Sequence, residues 1–149
     1  MRVLIDGDAC PNKKEIKQLC QQYGFEMIVF IDYAHQISDD YQCVICDIGK
    51  DSVDQAIVEN VLPGDLVISQ DYGLASLVLL KDAKVLHPTG KMINEDNISN
   101  LLMSRYLGHQ ERKRSHHIKG PKKRTQKDQD IFLRQVEKLL IHELFKEDA

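Results

Sequence analysis

Three short apolar runs in this 149-residue chain end on aspartate: Val3-Leu4-Ile5-Asp6, Cys43-Val44-Ile45-Cys46-Asp47 and Leu66-Val67-Ile68-Ser69-Gln70-Asp71. Runs of this length bounded by turn residues predict buried parallel strands. Phe25–Ile31 reads as a further strand and Lys84–His87 as a short one. Between the strands the apolar period changes to that of a helix. Ile16, Leu19, Cys20 and Tyr23 recur at helical spacing after Pro11, which suits a first turn, and stop at Gly24, a C-terminal cap. Ser52 with Gln55 predicts a capping box for a helix over 53–61, and a helix is expected through Ala75–Leu80. Pro63-Gly64-Asp65 and Pro88-Thr89-Gly90 form turns, and Asn97 caps a helix carrying Ile98, Leu101, Leu102 and Tyr106. Alternating strand and helix signals predict an α/β domain with a mostly parallel central sheet flanked by helices.

The texture changes after Gly108. Residues 109–127 are basic, poor in apolar side chains and broken by Gly120-Pro121, so they read as a long loop or arm. Thr125-x-x-Asp128 is a second capping signal, and Ile131, Phe132, Val136, Leu139, Leu140 and Phe145 form an apolar stripe behind it. The organisation expected is an α/β domain over 1–108, a basic arm over 109–127 and a C-terminal helix over 128–149 that packs back on the domain. No apolar stretch reaches the roughly 20 residues of a membrane helix. The opening residues run into a strand without signal-peptide architecture, so a cytoplasmic protein with no membrane partner is expected.

Charge is segregated. The segment from Arg105 to Lys127 holds nine Lys and Arg against one acid, Glu111, whereas the remainder holds 11 bases against 22 acids. A basic stretch of this kind marks a nucleic-acid contact surface or a solvated segment. Its cations Arg105, Arg112, Lys113, Arg114, Lys119, Lys122, Lys123 and Arg124 are candidate phosphate contacts, as is Lys50 beside the acids. The four cysteines do not suggest a disulfide framework. Cys43 and Cys46 lie three apart in a strand, where they face opposite sides, so packing is expected rather than zinc binding.

The strand-terminal acids carry the chemistry. In a parallel sheet the carboxyl ends of the strands form the ligand crevice. Asp6 and Asp71 close two strands, Asp8 lies in the turn after the first, and Asp51 and Asp54 bracket a helix start at the same edge. Like charges gathered this closely are costly unless a proton or cation relieves them. Asp6, Asp8, Asp51, Asp54 and Asp71 are therefore candidate ligands for Mg²⁺ or Mn²⁺, with Asp6 and Asp71 the principal catalytic candidates. Each also has a plain structural reading as a turn former or helix cap. No phosphate-cradling Gly-x-x-x-x-Gly-Lys loop occurs. A basic arm beside acid-held metal favours a phosphodiester substrate.

The segments Leu4-Ile5-Asp6-Gly7-Asp8-Ala9-Cys10-Pro11, Gly49-Lys50-Asp51-Ser52-Val53-Asp54 and Gly64-Asp65-Leu66-Val67-Ile68-Ser69-Gln70-Asp71-Tyr72-Gly73-Leu74-Ala75 together resemble the YaiI/YqxD family of bacterial proteins. Asn97-Ile98, Arg105, Gly120-Pro121-Lys122 and Thr125-x-x-Asp128-x-x-x-Phe132 extend the likeness over nearly the whole chain. That family is grouped with PIN-like domains, many of which are metal-dependent ribonucleases. The resemblance implies a PIN-like three-layer fold over 1–108, Asp6, Asp51, Asp54 and Asp71 as metal ligands with Asp8 a fifth, and RNA ahead of DNA as partner. The expected function is a Mg²⁺- or Mn²⁺-dependent nuclease. Two alternatives are a non-catalytic nucleic-acid-binding protein and a phosphatase of the haloacid-dehalogenase type using Asp6 and Asp8, with Lys81 or Lys84 completing its site.

Overall fold

The computed structural model describes residues 1–8, 10–32, 42–47, 51–115 and 123–147; the side chains of 112–115 and 147 fall outside that description. Its elements in chain order are β1 (Val3–Asp6), α1 (Lys13–Tyr23), β2 (Met27–Asp32), β3 (Gln42–Cys46), α2 (Ser52–Asn60), β4 (Leu66–Ile68), α3 (Tyr72–Leu79), β5 (Lys84–Leu86), β6 (Met92–Ile93), α4 (Ile98–Ser115) and α5 (Gln126–Glu147). One sheet runs in the order β3-β2-β1-β4-β5-β6. Every pairing is parallel except that of β5 with the two-residue β6. The result is the three-layer α/β, PIN-like architecture expected, with β6 an addition too short to leave a period-2 signal.

Strand alternation sorts the core into two layers. Val3, Ile5, Val29, Ile31, Leu66, Ile68 and Leu86 meet Ile16 and Cys20 of α1 and Phe132, Val136 and Leu140 of α5. Leu4, Ile28, Phe30, Val67 and Val85 meet Val53 and Ile57 of α2 and Leu74, Ala75 and Val78 of α3, with Ile98 and Leu101 of α4 at the margin. Phe132, Val136 and Leu140 are fully buried. Cys43 packs in the first layer and Cys46 in the second, as strand periodicity requires.

Several local signals resolve differently. Pro11 precedes α1, whose cap is Asn12. Ser52 does not close a capping box; its hydroxyl turns back to the Asp47 carbonyl. Asn97 does stand at the cap position before α4, its carbonyl accepting the Leu101 amide at 3.0 Å. Its side-chain Oδ1, however, turns back to accept the Asn94 amide at 3.0 Å, while Asn94 Oδ1 accepts the amides of Asp96 at 2.9 Å and Asn97 at 3.1 Å. The break expected at Gly108 is absent: α4 continues to Ser115, so the first part of the supposed arm is helical. Isolated glycine weakens a helix by only about 1 kcal/mol, and neighbours on both sides favour continuation. The second cap is reciprocal as read, with the Thr125 amide donating to Asp128 Oδ2 at 2.9 Å and the Asp128 amide to Thr125 Oγ1 at 3.2 Å. Among the described residues no helix is long and apolar enough to cross a membrane.

Candidate active site

Asp6 alternates with Leu4 and so leaves β1 on the face covered by α2 and α3, where it is only 7% exposed. Gly7 makes that exit possible. Its amide donates to the Phe30 carbonyl at 2.8 Å, and a Cβ there would lie 2.8 Å from the same oxygen and press on Val29 and Ile31. Any other residue would have to push the turn away from β2. Asp8 then emerges exposed.

Ser69 continues β4 beyond its last paired residue, its amide donating to the Leu86 carbonyl at 3.2 Å. It is fully buried, and its hydroxyl ties two acids together. Oγ donates to Asp6 Oδ2 at 3.0 Å and accepts the Asp71 amide at 3.0 Å. Asp71 in turn caps α3, Oδ1 accepting the Leu74 amide at 3.1 Å. Asp54 arrives from the first turn of α2 beside the Asp71 side chain. Asp6, Asp54 and Asp71 thus meet at one lip of the sheet, and Asp8 and Asp51 stand exposed at its rim.

The electrostatics follow from that crowding. Burial pushes the Asp6 carboxyl above the usual range, the Ser69 hydroxyl opposes this, and the charges of Asp8 and Asp71 add to it. Asp54 is pushed up to about 7, first by burial, then by the hydrogen bond and charge of Asp71, then by Asp6 and Asp51. Two carboxyl groups in contact hold a proton between them because both cannot ionise cheaply side by side. Among the described residues no group of three or more aspartate, glutamate, histidine or cysteine side chains is gathered closely enough to hold a metal ion as it stands. The carboxylates at this lip nonetheless offer only oxygen donors, the chemistry that suits a hard divalent ion. Arg105 of α4 reaches the group, its Nη1 lying 3.7 Å from Asp71 Oδ1. Asp51, Asp54 and Asp71 also line an open cleft of about 670 Å³ between α2 and α3, with Gln55, Val58 and Leu77.

The other cations divide. Lys123 is exposed. Arg124 is engaged within the fold: it donates to the Pro88 carbonyl at 2.9 and 3.2 Å and to Asn12 Oδ1 at 2.7 Å, and stacks 5.3 Å from the Phe132 ring. Those contacts give it a part in docking α5. Lys50, Lys119 and Lys122 lie outside the described residues, as do the side chains of Arg112, Lys113 and Arg114 on the last turn of α4. The lysines considered for a phosphatase point elsewhere. Lys81 donates to the Val58 carbonyl at 2.6 Å, and Lys84 lies 3.7 Å from Glu143.

Two residues at this edge escape a sequence reading. Ser69 is invisible as a site residue until β1 and β4 are paired, although its spacing from Val67 marks its face. His87 follows β5 on the same face as Val85 and shares the edge with Ser69. Burial, then Lys91, lowers its pKa.

Comparison with known proteins agrees with the motifs. Residues 4–142 match the family described as "Uncharacterized BCR, YaiI/YqxD family". A UPF0178 protein of Natranaerobius thermophilus is 43% identical over 143 residues, 95% of this chain and 97% of that protein. One from Lachnoclostridium phytofermentans is 39% identical over 144 residues, 94% and 97% of the two chains. One from Alkaliphilus oremlandii is 36% identical over 146 residues, 97% and 91%. No solved structure matches at a significant level. A match over nearly the whole chain makes it a member of the YaiI/YqxD family.

Proposed function

We propose that this protein is a Mg²⁺- or Mn²⁺-dependent nuclease, with RNA as its first-choice substrate. The observation that carries this reading is the convergence of Asp6, Asp54 and Asp71, from three separate elements, beside the cation of Arg105. Asp6, Asp54 and Asp71 would hold the ion, with Asp8 and Asp51 as further carboxylates at the same edge. Such an ion, when bound, lowers the pKa of an attacking water and stabilises charge on the phosphate. Ser69 keeps Asp6 and Asp71 in register, and the cap on α3 holds Asp71 at its angle. Asp54 must release its proton before it can act as a ligand. Arg105 is free to exchange Asp71 for a phosphate oxygen, being more than half exposed.

Calorimetric titration with Mn²⁺ tests the site before any substrate is known. The wild type should bind, with affinity rising between about pH 6 and 8 as Asp54 ionises, and Asp6→Asn should bind at least tenfold more weakly. Cleavage of single-stranded RNA in Mn²⁺ should be lost in Asp6→Asn and in Asp71→Asn. Equal cleavage by all three proteins would remove the claim. One observation favours a non-catalytic nucleic-acid-binding protein instead: Asp6 and Asp71 both have structural partners within the fold. Salt-sensitive RNA binding without turnover, unaffected by either substitution, would select it.

A further inference from the structure

Beyond the acids, the described residues at the carboxyl edge of the sheet include a prepared polar side chain that the proposed chemistry does not use. β4 and β5 pair in parallel with Val67 opposite Val85 and Ile68 opposite Leu86, and the Ser69 amide extends the ladder to the Leu86 carbonyl. The next cross-strand neighbour of Ser69 on the acid-bearing face is His87. Adjacent strands lie about 4.8 Å apart, so His87 stands one strand from Ser69 and about 10 Å, two strands, from Asp6.

Its ring is set in one state. Nδ1 accepts the Thr89 amide at 3.1 Å, with Thr89 Oγ1 at 2.9 Å, so the proton of the neutral imidazole lies on Nε2. Burial and Lys91 favour that neutral form. Tyr72, the residue after Asp71, backs the ring at 5.8 Å between centroids with 30° between planes. Its backbone is held as well. The His87 amide donates to the Lys91 carbonyl at 2.9 Å, Arg124 clamps the Pro88 carbonyl, and Gly90 (φ 92°) sits so close to α5 that a Cβ would lie 2.6 Å from Ile131 Cγ2. No described residue takes up Nε2. A rigid donor with no partner among the described residues costs little to engage with a ligand.

We infer that His87 binds the substrate by donating Nε2–H to a non-bridging oxygen of the phosphate next to the one gathered at Asp6, Asp54 and Asp71. The inference rests on the nuclease reading and sharpens it: the substrate is a chain with at least two neighbouring phosphates, not a small phosphate ester. A chain crossing the strand ends from β1 to β5 meets the acids first and His87 next.

The test compares bis(p-nitrophenyl) phosphate, which has one phosphodiester, with a single-stranded ribo-oligonucleotide, both in Mn²⁺. His87→Leu should raise KM for the oligonucleotide about tenfold, the worth of one hydrogen bond to a charged group, with kcat little changed. The small diester should not distinguish the variant from wild type, and His87→Gln, which keeps a donor, should recover most of the loss. An unchanged oligonucleotide KM in His87→Leu, or equal losses on both substrates, overturns the inference while leaving the nuclease reading intact. A wild type inert on both substrates overturns that reading itself. Should His87→Leu fold poorly, imidazole NMR of the wild type with the oligonucleotide in Ca²⁺ decides: the His87 Nε2–H resonance must shift on saturation, and an unmoved resonance refutes the contact.

Discussion

Replacing Asp54 with Asn should stabilise the metal-free protein and abolish its response to metal. Asp54 is pushed from an ordinary 3.8 up to about 7 by burial and by its neighbours Asp71, Asp6 and Asp51. Because the folded pKa is raised, its favourable contribution is complete below about pH 4, declines as pH rises, and is gone above about pH 7. At 1.36 kcal/mol per unit the full penalty would be about 4 kcal/mol. Asp54 is only partly buried, however, so solvent screening cuts this to about 1–2 kcal/mol. Asn removes that penalty but also a favourable acid in the first turn of α2, worth about 0.3–1 kcal/mol. The net expectation at pH 8 in EDTA is a gain of about 1 kcal/mol, a rise in Tm of roughly 2–4 °C for a chain of this size. Urea unfolding from pH 4 to 8.5 measures it: the advantage of the variant should be absent at pH 4 and complete above pH 7. Saturating Mn²⁺ should reverse the order, since ion at a hundredfold its Kd adds about 2.7 kcal/mol to the wild type alone. A variant less stable at every pH, or an advantage that does not vary with pH, would show that no carboxylate crowding exists at this edge.

Other outcomes follow from parts of the fold away from the acids. Asp65, 3% exposed, accepts the amides of Arg2 at 3.0 Å and Leu62 at 2.9 Å and pairs with the Arg2 guanidinium at 2.7 Å. Asp65→Ala should cost about 2–4 kcal/mol in urea unfolding. Burial alone would raise the Asp65 pKa, but the Arg2 and Leu62 hydrogen bonds outweigh it and the net shift is down. The wild type should therefore lose this contribution as pH falls below about 4, and the variant should lack that step. Gly7→Ala should lower thermal stability by about 1–3 kcal/mol and weaken Mn²⁺ binding with it, because the turn carrying Asp6 and Asp8 must shift. Phe132→Ala should cost about 3–5 kcal/mol by leaving a cavity under α5, and Arg124 should become accessible to chemical modification as its stacking partner disappears.

Much of the architecture was legible because it is encoded over short spans. Leu4, Asp6 and Val67 declare their face by alternation, and Ile16, Cys20, Phe132 and Val136 declare theirs by helical spacing, whatever lies elsewhere in the chain. Thr125 and Asp128 find each other within one turn. The runs ending at Asp6 and Asp71 were enough to bring those acids to one edge, since parallel strands point the same way.

Contacts between distant segments were not legible. Ser69 bridges Asp6 and Asp71 only because β1 and β4 pair in one register, and a shift by one residue would turn its hydroxyl to the opposite face. The same pairing continued to β5 sets His87 beside it. Arg124, indistinguishable in sequence from its basic neighbours, is drawn to Pro88 and Phe132 by the docking of α5. Asp54 carries a raised pKa because α2 and α3 converge, a property of position and not of residue type. Local periodicity therefore determined most of the elements and the edge at which the acids lie. Tertiary packing alone decided which of them crowd together, that Arg124 is drawn into the fold, and that His87 lies beside Ser69.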